Sequence, residues 1–112
     1  MSSAHREWRF YIDDMLGFAE KACAYTSGLT HAQFLADSLV YDATLRNLEL
    51  IGEAATHVRV EMREQCPDVP WRLIIATRNR LIHAYLGVDN DTIWSIIQTD
   101  LPEFMDALRQ IG

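Results

Sequence analysis

An all-α chain, folded as a four- to five-helix up-and-down bundle, is what the sequence predicts, on three observations. Apolar residues recur at alternating spacings of three and four, the signature of helices with one buried face. No segment alternates apolar and polar residues with the period of two that a half-buried strand needs. Glycine, proline and capping residues punctuate the chain at a few points, with no repeat, low-complexity tract or long linker between them. At 112 residues and 49% hydrophobic content, the chain suits one domain over 1–112 with one core.

The first helix is expected from about Ala4 to Tyr25, where Trp8, Ile12, Met15, Ala19 and Ala22 form one stripe and Tyr11, Leu16 and Cys23 widen it. Gly28 stands where a helix end favours a residue tolerant of positive φ. Thr30 with Gln33 reads as a capping box and Leu29 with Phe34 as its hydrophobic staple, opening a short helix through Ala36. A long helix follows to about Gln65, with Thr44, Leu48, Ile51, Ala55, Val58 and Met62 as its stripe. Gly52, Ala54 and Ala55 leave room there for a neighbouring backbone.

Pro67-Asp68-Val69-Pro70 ends that pattern, since proline lacks an amide donor and clashes with the preceding helical turn. The next helix starts near Pro70 or Trp71 and sets Trp71, Ile74, Ile75, Arg78, Ile82 and Tyr85 on one face. Arg78 thus falls on an apolar stripe, which is costly unless an anion or a carboxylate meets it. Gly87-Val88-Asp89-Asn90-Asp91 reads as a turn, with Asp89 or Asn90 capping a last helix through Ile93, Ile97, Leu101, Phe104, Leu108 and Ile111. Pro102 should kink or restart it.

A net charge of −6 and a pI near 5.0 argue against a broad basic face that coats nucleic acid. Any RNA or DNA contact is then confined to a local site. No apolar run approaches the roughly 18 to 20 residues of a membrane span, and Met1-Ser2-Ser3-Ala4-His5-Arg6-Glu7 lacks the apolar stretch of a secretory signal. No membrane association and a cytoplasmic location are expected. Cys23 and Cys66 form no Cys-x-x-Cys motif and read as small apolar residues of helices.

The chain carries 16 Asp+Glu, yet none lies between Asp68 and Asp89. Those 20 residues would be acid-free by chance in roughly 5% of random arrangements, so this is a modest signal of local positive charge. Arg72, Arg78, Arg80 and His83 lie inside it. A guanidinium holds a phosphate through two parallel hydrogen bonds, and an imidazole moves a proton near neutral pH. Together they suggest phosphate-ester chemistry.

In an unbroken helix, five residues separate Arg78 and His83 by about 140° of rotation. They can converge if the helix ends near His83 and the chain turns over Ala84 to Gly87, or if a second copy supplies the other half of the site. Glu-x-x-His, His-Glu-x-x-His, zinc-spaced cysteine pairs, a glycine-rich phosphate loop and Gly-x-Ser-x-Gly are all absent. No metal and no cofactor are expected.

Arg78-x-x-x-x-His83-x-Tyr85, with polar Asn79 after the arginine, resembles the motif of the HepT-like branch of the HEPN superfamily. The likeness extends to Arg46-Asn47-Leu48-Glu49, Ile51-Gly52-Glu53-Ala54-Ala55, Val69-Pro70-Trp71-Arg72 and Leu86-Gly87-Val88-Asp89. What the resemblance implies is a homodimeric, metal-independent endoribonuclease, the toxin of a type II/VII-like toxin–antitoxin pair. The implied antitoxin is an MNT-type nucleotidyltransferase, which silences the toxin by attaching AMP to the motif tyrosine, Tyr85.

In that reading RNA is the substrate and supplies its own nucleophile, the 2′-hydroxyl. His83 transfers protons, Arg78 clamps the non-bridging phosphate oxygens, and Asn79 and Arg80 add substrate and phosphate contacts. A competing reading keeps the fold without catalysis: a silent homodimeric helical module that binds a nucleotidyltransferase or a nucleotide. Each residue also has a structural account. Arg78 can pair with Glu49 or Glu53 across the bundle, His83 can be a helix-end residue, and Tyr85 a core or interface aromatic. Arg46 and Glu53 read mainly as structural support, and His31 and His57 as surface residues.

Overall fold

A computed structural model describes residues 3–83 and 89–111, with side chains from Glu7 onward. Helix α1 (Ser3–Thr26) buries Trp8, Ile12, Met15, Ala19 and Ala22 as expected. It ends where Thr26 Oγ1 donates back to the Ala22 carbonyl at 2.9 Å and Gly28 takes φ +78°, a left-handed conformation only glycine adopts cheaply. Both bonds of the capping box form: Gln33 N donates to Thr30 Oγ1 at 3.1 Å, and Thr30 N to Gln33 Oε1 at 2.9 Å. They open α2 (His31–Ala36), whose Phe34 is fully buried. Asp37 then caps α3 (Ser38–Thr56) by accepting from Val40 N at 3.1 Å.

The single long helix expected to Gln65 is instead two. Helix α3 stops at Thr56, the chain turns over residues 57–59, and α4 (Val60–Glu64) follows. The apolar period runs across the break because Val58, in the turn, is still buried at 1% exposure. Arg63 braces the break: Nε donates to the Val58 carbonyl in the turn at 2.8 Å, and Nη2 adds a further donor to the Ala55 carbonyl at 3.2 Å.

Pro70 precedes α5 (Trp71–Ile82), and Trp71 Nε1 donates to the Cys66 carbonyl at 3.0 Å. The predicted face needs one correction, since Ile82 is 41% exposed and Leu81 is buried in its place. Leu81 and Ile93 of α6 (Asn90–Ser95) line the same cleft, which puts Leu81 on the side of α5 that faces α6. Asp89 caps α6 as expected, accepting from Asp91 N, Thr92 N and the Thr92 hydroxyl. The interruption expected from Pro102 takes the form of a π-helical turn, Ile96–Asp100, just before α7 (Leu101–Arg109). A wider turn accommodates a residue that cannot donate its amide.

Helix α3 lies at the centre, packed on α1 on one side and α5 on the other, while α7 closes against α1. Long helices α1, α3 and α5 and the interrupted α6–α7 rod thus form the bundle, with α2 and α4 as short connectors. Among the described residues there is no strand, and no helix long and apolar enough to cross a membrane.

Candidate phosphate-handling site

The site begins with a glycine. Gly52 of α3 is buried against the root of Arg78; a Cβ there would overlap Arg78 Cβ and come within 2.7 Å of its Cγ and 3.1 Å of the Ile74 carbonyl oxygen. Only a residue without a side chain lets α3 and α5 meet so closely. Arg78 is thereby pressed onto α3 with 27% of its side chain exposed, in keeping with its place on the apolar stripe.

Its guanidinium is held on two sides. Nη2 donates to Glu53 Oε2 at 2.7 Å and Nη1 to Asn79 Oδ1 at 3.0 Å, while the buried Nε finds no acceptor among the described residues. Of the two acids expected to face Arg78, the register of α3 on α5 selects Glu53. Glu49 pairs with Arg46 on its own helix at 3.4 Å. The other carboxylate oxygen of Glu53 lies 3.6 Å from His57 Nε2, and the His57 ring stacks on Tyr11 of α1 at 4.9 Å and 17°. Residue-by-residue reading missed this continuation, although the spacing of four from Glu53 to His57 was the available signal.

His83 forms the C-terminal cap of α5, with φ −98° and its backbone N–H donating to the Asn79 carbonyl at 3.3 Å. Its side chain is exposed. The helix therefore ends where the first route to convergence requires, and the turn through 84–87 and Tyr85 lie outside the described residues. Arg80 follows Arg78 by two residues, about 200° around the helix. It lines a cleft of about 190 Å³ between α5 and α6 together with Asp89 and Thr92. The Thr92 hydroxyl, then the backbone N–H groups of Thr92 and Asp91, and least of all the Arg80 charge, hold the Asp89 carboxyl below the ordinary aspartate range.

His57 is exposed, as expected, but His31 is not a plain surface residue. It is half-buried, stacked on Trp94 with ring centroids 5.3 Å apart and an interplanar angle of 4°. Cys23 and Cys66 are both free and half-buried, and burial pushes both thiols up. Among the described residues no group of three or more His, Cys, Asp or Glu gathers as a metal site.

A family model described as Ribonuclease HepT-like matches residues 15–111, a span that includes α3, α5 and the whole Arg78-to-Tyr85 motif. "Probable ribonuclease HepT" of Thermococcus cleftensis is 32% identical over 111 residues, covering 99% of this chain and 98% of that protein. A "Putative RNase" of Methanocaldococcus jannaschii is 33% identical over 98 residues, 88% of this chain and 90% of that protein. Another of the same description, from Caldanaerobacter subterraneus subsp. tengcongensis, is 34% identical over 103 residues and 92% of each chain. No solved structure gives a significant match. With nearly its whole length matched by the family model and by these relatives, the chain belongs to the ribonuclease HepT-like family of the HEPN superfamily.

Proposed function

We propose that the chain is a metal-independent endoribonuclease, the toxin of a toxin–antitoxin pair, working in the cleft of a homodimer. The observation that carries this reading is Arg78. A half-buried guanidinium is fixed against α3 just before the helix ends at His83, in a chain whose relatives are named as RNases. A fixed guanidinium is suited to the charge that builds on a phosphorane. An imidazole on an exposed helix end is suited to proton transfer.

In the proposed reaction the 2′-oxygen attacks the adjacent phosphorus while His83 takes its proton. The bond from phosphorus to the 5′-oxygen breaks, and that oxygen leaves with a proton from the partner subunit's His83. The products are a 2′,3′-cyclic phosphate and a 5′-hydroxyl. Arg78 offers N–H donors to the non-bridging oxygens, with Asn79 beside it, and Arg80 holds a phosphate further along the strand. AMP attached to Tyr85 by a nucleotidyltransferase adds charge and bulk where the RNA phosphate enters, which blocks it.

Purified protein incubated with total RNA in EDTA is expected to leave cyclic-phosphate ends. His83→Ala and Arg78→Ala should each lower the rate on the order of a hundredfold or more. Equal inertness of all three proteins, with Tyr85 shown unmodified by intact mass, ends the ribonuclease reading. Protein co-expressed with the nucleotidyltransferase should gain AMP-sized increments on Tyr85. One observation favours the second reading, a silent binding module: Glu53 already gives Arg78 a partner without any ligand. The same assay separates the two.

A further inference from the structure

We propose that Glu53 is a positioning residue: it seats the Arg78 guanidinium for a phosphate and itself touches no reacting atom. The proposal rests on the ribonuclease reading above. An arginine is rich in rotamers, so a phosphate clamp either gives up that freedom on the way to the transition state or is ordered beforehand. Here the ordering is built in. Gly52 admits the root of Arg78 onto the α3 backbone, and the next residue, Glu53, accepts from Nη2 at 2.7 Å.

Support continues behind the carboxylate. The second oxygen of Glu53 is 3.6 Å from His57, and the His57 ring rests on Tyr11, so α1, α3 and α5 all contribute to one seat. Asn79 takes a donor of Nη1, which leaves each Nη atom one further N–H for non-bridging oxygens. A stabilising ion pair alone explains little of this. Arg78 and Glu53 are 27% and 47% exposed, a setting in which such pairs contribute little to folding.

The test compares wild type with Glu53→Gln, which keeps length and an acceptor but loses the charge, and with Glu53→Asp, which keeps the charge. Glu49→Gln removes the same charge one turn away and serves as the control. Two readouts are taken on each protein: RNA cleavage kinetics, and the NMR signal of the Arg78 Nε–H, assigned by its loss in Arg78→Lys. In wild type that signal should be distinct and slow to exchange, since Nε is buried.

Glu53→Gln should release the signal and lower kcat on the order of tenfold to a hundredfold without raising KM. Glu53→Asp should recover part of both, and Glu49→Gln should resemble wild type. The proposal is overturned if Glu53→Gln keeps the wild-type signal, if it releases the signal at full kcat, or if Glu49→Gln loses as much. Should wild type cut no RNA, the ribonuclease reading fails by itself. The NMR comparison still rules on Glu53: a released signal upholds its hold on Arg78, and an unchanged one refutes it.

Discussion

Two buried hydroxyls in the bundle have opposite fates. Thr26 donates a hydrogen bond back to the Ala22 carbonyl, whereas Thr44 is fully buried with no partner for Oγ1 among the described residues. Burying an unmet hydroxyl costs about 1 kcal/mol or more, and valine has nearly the same shape. Thr44→Val should therefore raise the thermal midpoint by about 4 °C. A lower midpoint would mean that the hydroxyl has a partner after all. Asp89 contributes to acid sensitivity instead. Its folded pKa is depressed by Thr92, so the stability it supplies is present above the ordinary value of 3.8 and is lost as pH falls through the lower folded value. Asp89→Asn keeps a capping acceptor without the charge. Its midpoint should fall less steeply than that of wild type as pH drops below 3.8.

The contact between α3 and α5 turns on Gly52. Replacing it with alanine gains about 1 kcal/mol of helix propensity, but the new methyl meets Arg78 Cβ and Cγ, near the backbone, where nothing yields cheaply. Overpacking of this kind costs about 1–3 kcal/mol, so Gly52→Ala should lower the midpoint in a thermal scan and shift Arg78 as α5 backs away. Local chemistry of this sort was largely legible in advance. The Thr30 and Gln33 box, the Gly28 conformation and the Asp89 cap depend on neighbours within three or four positions, and all form. The break at 57–59 was hidden because Val58 keeps the apolar period while the backbone turns beneath it. Leu81 outranks Ile82 because it lies on the side of α5 that faces α6, and Glu53 outranks Glu49 because of helix register. Neither fact is encoded within a single helix.

At the scale of the whole molecule, Arg78 is turned into α3 while His83 stands exposed at the end of α5, where a second copy has access. In the proposed dimer one cleft draws its proton acceptor and its proton donor from the two His83 side chains. The cleft then fails when either copy lacks its imidazole. Subunit exchange between wild type and His83→Ala makes this measurable, since random pairing of equal amounts leaves about a quarter of the dimers with both histidines. Cleavage should fall to about that fraction of the rate given by the same total protein as wild type, following the square of the wild-type share. A linear decline, to about half, would mean that each chain holds a complete site and that the second histidine takes no part. Exchange can be confirmed by mass spectrometry of the mixed dimers. The curvature of the decline therefore reports how many imidazoles one cleavage event uses, independently of which RNA is cut.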